Sequence, residues 1–417
     1  MPIDQDSKLN LAKVDERMYR KVEDNIFWKD MIGLQKLMTT DDNGQKVYKA
    51  SGAIIEKSTT PIKFSDGVDH GILTMENELV GDALFGDTQA AGTGEEWDWN
   101  HMRVHVNQTR KAVKVKSGDM SELRGQRYRI RERARPKLQD WFVKEQNAHY
   151  TQAIYEGASR NLTTGTDVAK NGIGLSARYP SNMYGLTASG TWTTAGTASY
   201  NKTAAEIDTL IGNTDTDLDN KSIDAAALLC QELNIGQAAM YNGQPMWVWV
   251  IDPYVLYGLR QDTTWLASER AFTQGKRSSD SPLVNGCINA YGGFLWKVDM
   301  LAVRPWDSDI QSFAGDNGWK ARGTYASSEV NSCTYIMGKG VLAVSEPRKY
   351  RIREEVEDFE SDIEVAGSII DGIERADFVS SSDEASFFAK GKTSFTALST
   401  AYEVINNQLL VLAVDRT

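Results

Sequence analysis

The feature of this chain that most restricts its fold is a stretch too poor in core-forming residues to hold itself together. Residues 66–100 are rich in Gly, Asp and Glu, with Phe85, Trp97 and Trp99 embedded among them. On the C-terminal side Met102, Val104 and Val106 alternate with Arg103 and His105, and Val113 and Val115 alternate with Lys114 and Lys116. That period of two predicts strand with one apolar and one solvated face. On the N-terminal side Ile62 to Phe64 is expected to begin the partner strand. A connection this long inside a compact domain is uncommon and usually functional. It has carboxylates and aromatics but no catalytic set, so its expected role is contact. A two-stranded hairpin is marginal in water, and this one needs a second surface to order it.

Residues 1–60 pose the same problem. Phe27, Trp28, Met31 and Leu34 form their one strong apolar cluster. The expectation is an extended arm with one or two short helices, buried only with help from neighbours. The arm has no apolar signal region, and no run of eighteen apolar residues predicts a membrane span.

A long helix is expected from about Ser121 to Glu156, with Ser121 as N-cap and Gly157 as a stop. Leu138, Trp141, Phe142, Ala148 and Tyr155 recur at roughly helical spacing, and Pro136 should kink the helix or start a new one. Beyond a Gly-, Ser- and Thr-rich stretch at 158–202, short helices are expected at 204–212 and 223–234. Met246 to Ile251 then reads as a buried strand closed by Asp252-Pro253, followed by helices at 254–259 and 264–272. Further strands are expected at 293–303, 332–344 and 409–414, and 363–373 is amphipathic. The elements mix α and β without the regular alternation of a doubly wound sheet.

Little in the sequence supports catalysis. Of the four histidines, His101 and His105 have metal-pair spacing only on a helix; on a strand they sit roughly 13 Å apart. Asp215, Asp217 and Asp219 resemble the start of a calcium loop, but Asn220 replaces the required glycine and Ala226 the bidentate acid. Cys230, Cys287 and Cys333 are distant and odd in number, which predicts buried reduced thiols. No phosphate-binding glycine motif, nucleophile elbow or paired-histidine zinc motif occurs. Neither enzyme activity nor any cofactor or metal is expected. The formal net charge of −11 argues against a dedicated DNA-binding protein. The sharpest basic feature is a run of six arginines between Arg124 and Arg135. Its guanidiniums can meet phosphates or pair with the acidic loop of a neighbouring subunit, and the overall acidity favours pairing.

Three stretches in order carry a family resemblance: HMRVHVNQTRKAVKVK at 101–116 running on through the helix to Ala158, MWVWVIDPYVLYGLRQDTTWLASERAF at 246–272, and EVAGSIIDGIERADF at 364–378. The chain resembles the HK97-fold major capsid proteins of tailed bacteriophages, and within them the phage N-four-like major capsid family. The resemblance spans roughly residues 60–380. It implies an α+β, HK97-like fold: N-terminal arm 1–60, extended E-loop hairpin 61–117 lying over the adjacent subunit, peripheral domain 118–202 with a long spine helix, axial domain 203–345, and a return to the peripheral domain at 346–417. The implied function is self-assembly into hexamers and pentamers of an icosahedral shell around double-stranded DNA, which such a container encloses without sequence-specific contact. Implied partners are further copies of the chain, a scaffolding protein, a portal and a decoration protein. The implied location is the virion, assembled in the bacterial cytoplasm. The expected subunit contact sets Phe85, Glu95, Glu96, Trp97, Asp98 and Trp99 of the hairpin against Arg124, Arg127 and Arg131 of a neighbour's helix. Competing readings are an encapsulin-like shell around enzymes, another virion structural protein such as a tail or decoration protein, and an α/β hydrolase.

Overall fold

The computed structural model describes residues 19–34, 36–40, 46–49, 51–57, 70–76, 99–116, 130–159, 161–162, 180, 182–187, 189–194, 210, 217–275, 282–298, 305–306, 331–357, 362–379, 404–406 and 408–414. After a helical segment at 19–25 come β1 (Ile32–Leu34), β2 (Lys36–Thr40), β3 (Lys46–Lys49), β4 (Ile55–Lys57), β5 (His70–Glu76), β6 (Trp99–His105) and β7 (Asn107–Lys116). Helix α1 (Ile130–Glu156) precedes β8 (Met183–Leu186) and β9 (Trp192–Thr194). Then follow α2 (Asn220–Glu232), β10 (Ala239–Tyr241), β11 (Gln244–Ile251), α3 (Pro253–Leu259), α4 (Thr263–Gly275) and α5 (Pro282–Gly286). The chain closes with β12 (Asn289–Tyr291), β13 (Phe294–Val298), β14 (Pro305–Trp306), β15 (Asn331–Met337), β16 (Leu342–Glu357), β17 (Asp362–Arg375), β18 (Phe378–Val379), β19 (Val404–Asn406) and β20 (Leu409–Val414).

Two sheets organise these elements. The first runs β1-β4-β16-β17-β7, with β16 and β17 forming a long antiparallel hairpin. Its alternation is strict along β17: Val365, Gly367 and Ile369 are buried, while Ala366, Ser368 and Ile370 are partly exposed. Leu138 and Phe142 of α1 cover the buried face, meeting Tyr350, Ile352, Val365 and Ile369. Gly367 lies beneath them, and a Cβ there would come within 2.8 Å of Phe142. At 27 residues, α1 is about 40 Å long. Pro136 neither breaks it nor starts a new helix: the helix continues through it, with the ring exposed to solvent. Gly157 stops it at φ +81, and Arg375 donates to the Ile154 carbonyl at 3.1 Å, satisfying a carbonyl of the last turn.

The second sheet has nine strands, ordered β12-β13-β11-β15-β20-β8-β9, with β10 beside β11 and β14 beside β15. Its centre is apolar on both faces. Trp247, Trp249 and Ile251 of β11 share one core with Phe294, Trp296, Leu410, Leu412 and Trp265. Val248 and Val250 point to the other, with Leu295, Tyr335, Leu409 and Val411. A continuous apolar run is what a two-sided strand requires. Asp252 caps α3 through the Tyr254 N–H at 3.0 Å, as Asp-Pro predicts.

One expectation needs correction. The described residues 26–34 and 51–57 do not wait for a neighbour: Trp28 is fully buried, stacked on Tyr150 at 5.8 Å and Tyr335 at 6.0 Å, and β4 pairs with β16 in register. The cluster around Trp28 is small but enters the main core, which its size alone does not reveal. The chain also crosses between the sheets: β8, β9 and β20 all join the nine-stranded sheet. The amphipathic 363–373 segment is strand, within β17. Residues 62–64, Ser121 and most of 204–212 lie outside the described residues.

Candidate functional site

The sequence placed the contact residues in two segments, and the structure fixes the roots of both. Phe85, Glu95, Glu96, Trp97, Asp98, Arg124 and Arg127 lie outside the described residues. Trp99 opens β6, its backbone opposite Glu76 of β5, and Arg131 lies in the first turn of α1. The described residues therefore do not bring the acidic and basic sets together.

The root of the hairpin is held by a carboxylate. Glu374 Oε1 accepts from the His105 backbone N–H at 2.7 Å and lies 3.0 Å from its ring Nδ1, all of it buried. One turn of the pleat away, Gly372 passes so close to the same backbone that a Cβ would sit 1.7 Å from the His105 carbonyl oxygen. β7 then pairs with β17 without a break, from Asn107↔Asp371 to Lys116↔Asp362. The direction in which β5 and β6 leave the body is thus set by contacts that admit little play.

The C-terminal half of α1 is polar yet buried, so its side chains need internal partners. Gln146 Nε2 donates to Asp371 at 3.0 Å, and Asn147 Oδ1 accepts from the Phe27 N–H at 3.2 Å. His149 lies between Asp371 at 3.7 Å and Glu145 at 3.6 Å. Burial disfavours its charge, but the two carboxylates outweigh burial and raise the imidazole to about 9.

The N-terminal segment is latched to the same region. Tyr19 Oη is 3.1 Å from Glu346 and 3.2 Å from Glu23, and accepts from Lys57 Nζ at 3.1 Å. Lys57 also forms an ion pair with Glu346. Burial raises the Glu346 carboxyl, with Lys57 opposing it. One oxygen of Glu346, Oε1, has no hydrogen-bond partner among the described residues, and Glu346 lines a cavity of about 40 Å³ with Tyr19, Lys57, Tyr150 and Asp371. Such a space admits a water molecule but is far below the roughly 300–1,000 Å³ of a small-molecule site. These charges hold the arm; they do not form a substrate pocket.

Among the described residues no group of His, Cys, Asp and Glu is arranged to hold a metal. The three cysteines are buried and joined by no disulfide to one another, and burial raises the Cys230 thiol to about 12. No described helix is long and apolar enough to cross a membrane. The large aromatics exposed on α3, Tyr254 and Tyr257, stand one turn apart on its outer side. Sequence reading also missed a set of strand arginines, Arg110, Arg348, Arg351 and Arg353, which the five-stranded sheet gathers on its open face.

Comparison with known proteins completes the description. The sequence model of a family described as phage capsid protein matches residues 43–401. Comparison with curated proteins returned no match. Among solved structures, the capsid of Ralstonia phage GP4 is similar at TM-score 0.54 and 17% identity, covering 85% of this chain and 87% of that one. The cyanophage Pam1 capsid gives TM-score 0.50 and 14% identity, covering 88% and 89%. The head of Helicobacter pylori bacteriophage KHP40 gives TM-score 0.50 and 11% identity, also covering 88% and 89%. At such identities the likeness establishes the fold, which is the α+β, HK97-like capsid fold.

Proposed function

This chain belongs to the phage capsid protein family, and on that premise we propose how its parts build a shell. It is a major capsid protein, a structural subunit that assembles with its own copies into the virion capsid. The proposed capsomers are hexamers and pentamers on an icosahedral lattice around double-stranded DNA. Assembly takes place in the bacterial cytoplasm with a scaffolding protein and a portal, and a decoration protein binds the finished surface. The DNA is enclosed without sequence-specific contact.

Within the subunit, the five-stranded sheet and α1 serve as the peripheral domain. The nine-stranded sheet, including β8, β9 and β20, serves as the axial domain. The segment between β5 and β6 reaches the adjacent subunit, with Phe85, Trp97 and Trp99 as buried anchors and Glu95, Glu96 and Asp98 as counter-charges. The observation that carries this reading is the rigid root at His105, Glu374 and Gly372, which aims a hairpin too poor in core residues to be stable by itself. Contacts between non-identical patches propagate into rings and shells instead of closing as dimers.

The test is to replace the anchors. Trp97→Ala and Trp99→Ala should leave the subunit folded, with an unchanged circular dichroism spectrum, and sharply reduce shell yield. Wild-type shell yield in both variants would contradict the assignment, as would loss of folding in either.

A further inference from the structure

The two large sheets of the subunit are joined by a short glycine link. Gly338, Lys339 and Gly340 carry the chain from β15 of the nine-stranded sheet towards β16 of the five-stranded one. Gly338 is fixed on the first side: its N–H donates to the Gln408 carbonyl at 2.9 Å, and a Cβ there would come within 2.7 Å of the Gly236 carbonyl oxygen. Gly340 differs. It stands at φ +66, and the nearest atom to its Cβ position is Glu56 Cγ, 4.0 Å away. A left-handed glycine in open space lets the backbone turn at little steric cost. Beside this link, α1 meets β15 through Tyr155, whose hydroxyl donates to the Cys333 carbonyl and whose ring lies edge-on to Tyr335 at 5.8 Å.

Residues of the N-terminal region span both places. Phe27 bonds to the two sides at once: its N–H donates to Asn147 Oδ1 of α1 at 3.2 Å, and its carbonyl accepts from Lys297 Nζ of β13 at 3.0 Å. The same ammonium lies 4.3 Å from the Phe27 ring centroid. Trp28 follows, stacked on Tyr150 of α1 and on Tyr335 of β15. The segment runs on into β1, and β1 pairs with β4. Just before β4, the Ala53 and Ile54 carbonyls accept from the Gly340 and Val341 N–H groups of the link, both at 2.8 Å. The docking carries a flaw. Trp28 Nε1 is buried with no hydrogen-bond partner among the described residues, and a stranded donor weakens the docked state.

We infer that residues 26–34 and 51–57 form a strap that sets the angle between the two sheets, with Gly338 to Gly340 as the hinge it spans. Docked, the strap ties α1 to β13 through one residue and holds the hinge amides in place. Released, it leaves the glycine link and the Tyr155 contact as a pivot. The unsatisfied indole donor brings the released state closer in free energy, so the strap opens below the cost of global unfolding. One sequence thereby has more than one sheet-to-sheet angle available to it. The inference concerns the single subunit and goes beyond the shell function proposed above.

Two experiments on free, full-length subunits decide it. In the first, nitroxide labels at Lys144→Cys on α1 and Asp224→Cys on α2 report the distance between the two sides; both positions are exposed and the native cysteines are buried. The otherwise unchanged chain should give one narrow distance distribution by pulsed electron spin resonance. Adding Asn147→Ala and Lys297→Met removes both hydrogen bonds to Phe27. The distribution should then broaden about twofold or gain a second distance, with the circular dichroism spectrum unchanged. An equally narrow distribution overturns the inference. The second experiment does not depend on that variant folding. In native-state hydrogen exchange of the wild type, the amides of Met31, Gly340 and Val341 should open together. Their protection should agree within about threefold and lie at least about tenfold below that of the β15 amides. Link amides that open only with β15, or a Met31 amide that opens without them, overturn the inference and reduce the strap to ordinary core. Neither experiment involves shells, so the capsid reading stands or falls separately.

Discussion

Glu374 holds both the backbone N–H and the ring Nδ1 of His105, at 2.7 and 3.0 Å, at the point where the hairpin leaves the body. Replacing it with Ala strands a buried donor, which should cost about 1.5–3 kcal/mol in chemical denaturation. Gly372→Ala should be at least as damaging, because the new Cβ would meet the His105 carbonyl oxygen and backbone cannot give way as a side chain can. Gly258→Ala in α3 is the control: nothing lies within 4 Å, and the helix should gain up to about 1 kcal/mol. Equal stability of the Gly372 and Gly258 variants would contradict the account of the hairpin root.

Lys57 and Glu346 form the second internal anchor. Lys57→Met leaves a buried carboxylate without its cation and should destabilise the subunit by roughly 3–5 kcal/mol. Removing both charges, with Lys57→Met and Glu346→Leu, should recover most of that loss. Denaturant midpoints for the two variants check this, and a double variant no better than the single one would show that the pair is not the latch.

His149 makes stability depend on pH. Its imidazole is raised from 6.5 to about 9 in the folded protein. The stabilisation is therefore complete below pH 6.5 and is lost as pH rises through 9. The loss is on the order of 3 kcal/mol. His149→Gln should flatten the stability profile between pH 6 and 9.5 relative to wild type. A parallel profile for the two proteins would show that His149 is neutral in the fold.

The parts of the fold that were legible in the sequence are those where one residue pattern dictates one environment. Met246 to Ile251 is apolar on both faces and ends in Asp-Pro, which leaves only a central strand and a capped helix. Leu138 and Phe142 mark the face of α1 that meets the sheet. What stayed hidden depends on long-range pairing. Leu409 to Val414 reads as a strand, but its place between β15 and β8 is set by partners more than 70 residues away. Trp28 gives no sign that Tyr150 and Tyr335 wait for it. The arginine face was within reach: Arg351 and Arg353 alternate with Tyr350 and Ile352 in the pattern of a half-buried strand. The run at 124–135 is the denser basic signal in the sequence, and Arg110 joins the face only through β17.

The most direct test of the central claim is negative-stain electron microscopy of the full chain, expressed alone and with its candidate scaffolding partner. The account expects closed shells, or sheets of six-fold rings, in at least one of the two preparations. A monodisperse monomer or small closed oligomer in both would contradict it.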